Sequence, residues 1–269
     1  MHGLPTATGK ELAMKSKVRI IDLSVPLDPN TKDPTPPVII YERHEDTVER
    51  AAAMFGLDPK DWPEGRAWAV EHVTLTTHTG THVDAPYHYW DTTGGQPAKT
   101  IDQLPLEWFY GDGVLLDFSW KNTAEEISKE DIINALDRIG HKLSPGEIVL
   151  IRTDMDKKLY TPGYADLHPG VSAEATRFLI EQGIKVVGTD GYGWDVPFWV
   201  QAERFRETGD PGVIWAAHYV GKELEFCQIE KLANLDLIPC STGFKVIAFP
   251  VKVAGGSGGW TRAVAVIDS

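Results

Sequence analysis

Three segments in the middle of this 269-residue chain decide its fold class: EIVLIRTD (147–154), VSAEATRFLIEQG (171–183) and IKVVGTD (184–190). The first and third are short apolar runs rich in β-branched residues, as in strands buried on both faces of a sheet. The middle segment has apolar residues at helical spacing and ends at a glycine suited to a C-cap. The order strand, helix, strand predicts an α/β protein.

The flanking sequence extends this pattern in both directions. A second strand and helix precede it, at GVLLDFS (113–119) and ISKEDIINALDRIG (127–140). Further strands are predicted at VRIIDLSVPL (18–27), AWAVEHVTLTTHT (67–79), FKVIAFPVKVAGG (244–256) and WTRAVAVID (260–268). Between the first two of these lie a proline-rich loop, DPNTKDPTPP (28–37), and a charged helical segment, YERHEDTVERAAAMFGL (41–57). We therefore predict one α/β domain over residues 18–269, a mixed sheet flanked by helices, after a flexible tail at 1–17.

Composition narrows the class of partner. The hydrophobic fraction of 42% and charged fraction of 24% are those of an ordinary globular protein. The net charge of −13 argues against nucleic acids and anionic lipid surfaces, which both need clustered Lys and Arg. The N-terminus has no signal-peptide pattern and no apolar run is long enough to cross a membrane. We expect a cytoplasmic protein whose two cysteines, Cys227 and Cys240, stay reduced.

A cluster of histidines carries the functional signal. Four of the nine histidines fall within residues 72–88, and three of them lie in HTGTHVDAPYH (78–88). One interpretation is a hydrogen-bonded polar loop, which would suit any single histidine here. The even spacing of histidines and an aspartate favours a metal site, because residues of one parity face the same way in an extended segment.

Full extension would nevertheless keep the first two histidines apart. At roughly 3.3 Å per residue, the Cα atoms of His78 and His82 would be about 13 Å apart, too far for two imidazoles to share one ion. Gly80 lies where the backbone can turn between them. We predict a bent strand end in which His78, His82 and Asp84 converge on one cation. The spacing leaves open whether His88 is a fourth ligand or a general acid and base.

The same residues resemble a known family. The pattern His78-x-Gly80-Thr81-His82-x-Asp84-x-Pro86-x-His88 resembles the HxGTHxDxPxH motif of the "cyclase" family of metal-dependent hydrolases, which includes bacterial kynurenine formamidases, isatin hydrolases and a trans-dienelactone hydrolase. Further similar segments are IDLSVP (21–26), LIRT (150–153) and GTD (188–190), so the resemblance covers roughly residues 18–268. It implies a single α/β domain of the swivelling β/β/α type.

The resemblance also implies roles for particular residues. His78, His82 and Asp84 would bind a first divalent ion, zinc or manganese, and His88 would transfer protons. In two-metal members His218 would bind a second ion, with Asp84 and Glu230 bridging both. The residues alone give the last two no such role: His218 would be a structural histidine and Glu230, in IEKLANL, a charge on a helix surface.

The predicted reaction is hydrolysis of a C–N bond in a small cyclic amide or aryl formamide by metal-activated water. A lactone hydrolase of the dienelactone type and a non-catalytic metal-binding scaffold remain alternatives. The lengthened region before the motif is more similar to isatin hydrolases than to formamidases. Candidate walls of the substrate pocket are aromatic, although core or interface packing is the other interpretation of them: Trp68, Tyr192, Trp194 and Phe198.

Two expectations concern assembly and a glycine-rich run. The resemblance implies a homo-oligomer, a dimer or tetramer, and the aromatic region at 28–70 would line either the pocket or a subunit interface. The run GGSGG (255–259) lacks a following Lys-Ser/Thr, so we predict a flexible turn and not a phosphate loop. Asp154 and Asp156 are interpreted as a solvated loop edge and not a second metal site.

Overall fold

A computed structural model describes residues 18–268 of the chain, so the predicted tail at 1–17 lies outside the described residues. Five α-helices occur in that range, besides short 3-10 helices: α1 (Val48–Phe55), α2 (Pro86–Tyr89), α3 (Lys129–Ile139), α4 (Ala173–Glu181) and α5 (Phe198–Thr208). The strands of the same range are β1 (Val18–Asp22), β2 (Val38–Glu42), β3 (Val70–Thr74), β4 (His82–Asp84), β5 (Thr92–Thr93), β6 (Gln96–Pro97), β7 (Tyr110–Asp117), β8 (Glu126–Ile127), β9 (Ile148–Arg152), β10 (Gly170–Val171), β11 (Val186–Thr189), β12 (Cys227–Glu230), β13 (Phe244–Ile247), β14 (Gly258–Trp260) and β15 (Val264–Asp268).

Nine of these strands form one mixed sheet in the order β1-β15-β13-β7-β9-β11-β12-β4-β14. The four central strands, β7, β9, β11 and β12, are parallel, whereas both ends of the sheet pair antiparallel. Parallel neighbours need crossover connections, which α3 and α4 supply between β7, β9 and β11. The prediction of a single α/β domain with a mixed sheet is confirmed.

The central strands are apolar on both faces, so each face builds its own core. On β9, Val149 and Ile151 pack into the core under α3 and α4, while Ile148 and Leu150 pack into the opposite core. Burying a side chain of this size stabilises the fold by about 1.5–3 kcal/mol. The continuous apolar runs that predicted these strands therefore reflect burial on two sides.

The helix ends follow the predicted signals. The Ser128 hydroxyl accepts the amide of Asp131 at the start of α3, and Gly140 ends that helix with a φ of 64°. Gly183 follows the end of α4 with a φ of 89°. None of the described helices combines the length and apolar composition that a membrane crossing requires.

Several predicted boundaries are wrong; the strand predicted at 244–256, for example, ends at Ile247. Only residues 48–55 of the predicted helix at 41–57 are helical, because Tyr41 and Glu42 belong to β2, which pairs with β3 as a separate two-stranded sheet. The run GGSGG is not a free turn, since Gly258 and Gly259 begin β14 and pair with β4. A side chain at Gly258 would lie 2.8 Å from the His78 ring, so the missing side chain allows this close pairing.

Candidate metal centre

The histidine motif forms the bend predicted for it. Gly80 has a φ of 66°, a left-handed conformation that turns the chain between His78 and β4. Strand β4 then pairs with β12, where His82 lies opposite Glu230. Directly opposed residues share one face of a sheet, so His82, Asp84 and Glu230 point to the same side.

The ring and carboxylate atoms of this face converge. Asp84 Oδ1 lies 2.7 Å from His78 Nδ1 and 3.1 Å from His82 Nε2. His82 Nε2 is 3.7 Å from Glu230 Oε2, and His218 Nε2 is 3.6 Å from Glu230 Oε1 and 4.0 Å from Asp84 Oδ2. Ligand atoms bound about 2.0–2.2 Å from one ion lie roughly 3–4 Å apart. The structure thus brings together all five residues predicted as ligands.

Apart from the hydrogen bond between His78 Nδ1 and Asp84 Oδ1, the hydrogen bonds of the cluster lie around its outside. His82 Nδ1 donates to the Gly80 carbonyl at 2.8 Å, and His218 Nδ1 bonds Asp195 Oδ2, so each ring turns its Nε2 toward the carboxylates of the cluster. His82 Nε2 and Asp84 Oδ2 are buried without a hydrogen-bond partner. Buried polar atoms without partners are costly, and a shared cation would satisfy both.

The charges of the cluster also favour a cation. Burial and the neighbouring Asp84 carboxylate raise the pKa of Glu230 above its ordinary value. Burial disfavours the charged form of His218, but the hydrogen bond to Asp195 and the nearby carboxylates outweigh it and raise the pKa of His218 to about 9. Two buried carboxylates need compensating positive charge, which a divalent ion would supply.

His88 lies beside the cluster of proposed ligands and follows β4 in the chain. It is carried on α2, which begins at Pro86, and its ring stacks on His78 with 4.0 Å between centroids. One of its ring nitrogens is within 4.8 Å of ligand atoms of both Asp84 and His218. Burial lowers the pKa of His88 to about 4, so the ring is neutral at physiological pH. A neutral imidazole at this place can accept a proton.

A cavity of about 310 Å³ opens onto the cluster. His78, His88, His218 and Glu230 line it, and Tyr192 and Phe198 are also among the lining residues. Trp194 borders the cavity, but its side chain is fully buried and its indole N–H bonds Thr176 Oγ1 at 2.8 Å.

Trp68 is placed elsewhere. It is not among the residues that line the cavity and instead packs edge-to-face on Trp62, with 6.3 Å between ring centroids. Trp68 thus does not form a wall of this cavity in the single chain, contrary to the prediction. It lies just before β3, which pairs with β2 in a sheet separate from the main one.

Three residues of the site escaped the sequence analysis. Trp215 stacks on the His218 ring with 4.6 Å between centroids and lines the cavity, Asp195 holds His218, and Ser257 Oγ is 3.0 Å from His78 Nε2. Asp195 lies in GYGWDVPFW (191–199), a segment in which only the aromatic residues predict a pocket. Ser257 lies in the glycine-rich run at 255–259. Trp215 carried no signal beyond its place three residues before His218.

Comparison with known proteins agrees with this geometry. Isatin hydrolase of Roseibium aggregatum is 27% identical over 213 residues, which cover 76% of this chain and 77% of that protein. Kynurenine formamidase of Bacillus anthracis is 28% identical over 196 residues, covering 72% of this chain and 78% of the relative.

Among solved structures, isatin hydrolase A from Labrenzia aggregata, bound to benzyl benzoate, is 29% identical to this chain with a TM-score of 0.72. The match covers 94% of each chain. The sequence profile of the family described as "Putative cyclase" matches residues 21–196, which is more than half of the sequence. The chain belongs to the cyclase family.

Proposed function

We propose that the chain is a metal-dependent hydrolase that cleaves the C–N bond of a small cyclic amide or an aryl formamide. The observation that carries this proposal is the pair of buried atoms without partners, His82 Nε2 and Asp84 Oδ2. They belong to a cluster whose other members, His78, His218 and Glu230, line a cavity with aromatic walls. The relatives named as isatin hydrolase and kynurenine formamidase support the reaction class.

The residues present fit one or two divalent ions. His78, His82 and Asp84 would hold the first ion, and His218 and Glu230 a second one that shares Asp84. Three histidines with two carboxylates suit zinc or manganese. When bound, such an ion acidifies a coordinated water to a pKa of about 7 and polarises a carbonyl oxygen.

The chain's own residues supply the remaining chemistry. His88, which is neutral and faces the cavity, takes a proton from the attacking water and returns it to the leaving nitrogen. Asp195 fixes the orientation of His218, and Ser257 that of His78. The rings of Trp215 and Tyr192 exclude water from the apolar side of the cavity and orient an aromatic substrate.

Depletion and restoration of metal tests the proposal. The purified protein is treated with a chelator and reloaded with Mn²⁺ or Zn²⁺, and turnover of isatin, N-formylkynurenine and a lactone is followed. We expect an amide substrate to be turned over only after metal is restored. Turnover confined to the lactone would reassign the substrate class, and turnover that ignores the metal would overturn the mechanism.

We also propose that the protein self-associates through the separate β2–β3 sheet. Val38, Ile40 and Tyr41 on β2 are exposed, at 59%, 60% and 60% of their surface. Large apolar side chains grouped on a surface mark interaction sites. Light scattering coupled to size exclusion should give a dimer or tetramer, and Ile40→Lys should shift it toward the monomer. A monomeric wild-type protein would contradict this.

A further inference from the structure

Lys231 is a buried lysine that directly follows the proposed ligand Glu230. It is 2% exposed, and its ammonium has three directed contacts. Nζ donates to Asp33 Oδ2 at 2.5 Å and to the His78 carbonyl at 3.1 Å, and it lies 4.4 Å from the centre of the Tyr192 ring. Two of the three N–H donors of the ammonium are therefore used within the chain, and the Tyr192 ring lies beside the charge.

The backbone of Lys231 contacts the same bend from the other side. Its carbonyl accepts the Thr81 hydroxyl at 2.5 Å, while its side chain holds the carbonyl of His78. The contacts of one residue therefore bracket Gly80, the left-handed turn that brings His78 to Asp84. Lys231 itself has a φ of 56°, a conformation uncommon for a residue with a side chain. A strained residue that persists is held by its surroundings, here by contacts at both ends.

Asp33 extends the clamp to the proline-rich loop. It is 6% exposed, and its Oδ1 accepts the amide of Thr35 at 2.9 Å. Thr35 lines the cavity, and its carbonyl accepts the Thr79 hydroxyl at 3.1 Å. The loop at 28–37 is thus attached to the histidine motif at two points, of which the Lys231–Asp33 pair is the charged one.

We propose that Lys231 is a positioning residue for the metal centre, which clamps the Gly80 bend and, through Asp33, the loop wall of the cavity. The proposal rests on the proposed function, because it assigns His78 as a ligand. A buried ion pair adds little net stability compared with an apolar pair, and its best-attested use is to fix one arrangement. Loss of the pair should therefore affect metal affinity more than folding.

The test variant removes both charges together. In Asp33→Asn with Lys231→Met no buried charge is left unpaired, and the side-chain length at 231 is nearly kept. Calorimetric titration of the chelated protein with Mn²⁺ alone and Zn²⁺ alone gives the dissociation constants. We expect the variant to bind about 10- to 100-fold more weakly, as when groups that support a ligand are removed. Amide hydrogen exchange in residues 76–81 should also accelerate.

Lys157→Met is the matched control. Its half-exposed ammonium pairs with Asp156 at 2.9 Å and Asp236 at 2.7 Å. Metal affinity of this control should stay within about twofold of the wild type, since neither pair includes a proposed metal ligand. Asp33→Asn with Lys231→Asn is a second test variant, because asparagine tolerates the left-handed φ at 231.

The outcomes separate this proposal from the proposed function. Wild-type affinity and unchanged exchange in the folded double variants would overturn the positioning role while leaving the hydrolase proposal intact. A wild-type protein that binds neither ion would overturn the metal centre itself. A lower melting temperature with unchanged affinity would make the pair merely structural and would also overturn the proposal.

Discussion

Two groups of carboxylates in this molecule look alike until their hydrogen bonds are compared. Asp84 and Glu230 meet histidines at the end of β4, and Asp154, Asp156 and Asp190 meet one another beyond β9. In the first group, Asp84 Oδ2 is buried without a partner. In the second, Asp190 accepts the amides of Thr153 and Asp154, each at 2.8 Å.

The other two acids of the second group are satisfied as well. Asp154 accepts Arg152 at 2.7 Å, and Asp156 accepts the amide of Asn234 at 2.9 Å. The difference teaches that close carboxylates alone do not make a metal site. Close carboxylates favour a metal when buried lone pairs among them lack partners, because a cation then relieves a desolvation cost. The second group instead fastens a loop.

Paired substitutions of the two groups should give the largest contrast. Asp84→Asn should remove bound metal and reduce turnover by roughly 10³-fold or more, since an amide is a poor ligand and cannot bridge. Asp190→Asn should keep the metal but lower the free energy of unfolding by about 1–3 kcal/mol, because an NH₂ group would face backbone donors. Elemental analysis and thermal unfolding measure the two effects. Equal loss of metal from both variants would contradict the claim that only the first group binds metal.

His88→Gln should separate proton transfer from metal binding. We expect kcat to fall about 10²- to 10⁴-fold, the usual contribution of a positioned acid–base group, while the bound metal per chain is unchanged. Loss of metal in this variant would make His88 a ligand, which is the alternative left open by the motif spacing.

Asp195→Asn should have a smaller effect, on metal affinity, by loosening the hold on His218. The amide can still contact His218 Nδ1 but no longer holds it by charge, so metal affinity should weaken roughly 10- to 100-fold. Activity should return when the metal concentration is raised. Activity that stays low at saturating metal would show that Asp195 acts on the chemical step.

Substitution of Gly80 at the bend should give the smallest of these effects, a loss of stability, and Gly56 provides a matched control. Gly56 has nearly the same φ, 67° against 66°, but a side chain there meets nothing within 4 Å. Gly56→Ala should cost about 1–2 kcal/mol from the left-handed backbone alone. Gly80→Ala should cost more, because its Cβ would lie 2.8 Å from Leu27 Cδ2. Equal melting temperatures would show that the loop simply moves.

The sequence predicted the part of the site in the motif at 78–88 better than the part formed by His218 and Glu230. His78, His82 and Asp84 lie in one short motif, so the residue types and the bend at Gly80 follow from local geometry. Glu230 lies in a segment that gave no strand signal, yet β12 pairs with β4, about 150 residues away in the chain. Pairing at such a distance depends on the whole sheet, and only the family resemblance pointed to it.

The supporting residues were the least predictable. Ser257 contributes a hydroxyl that hydrogen-bonds His78, and Gly258 leaves room for the His78 ring because it has no side chain. Neither a hydroxyl nor a missing side chain identifies its neighbour in a sequence. The position of Trp68 shows the converse, since an aromatic residue near the motif in the chain need not lie near it in space.

An anomalous-scattering map of crystals grown with Mn²⁺ or Zn²⁺ tests the central claim most directly. The account predicts a peak among His78, His82 and Asp84, with none among Asp154, Asp156 and Asp190. A peak at the second group, or none at the first with metal present in excess, would contradict it.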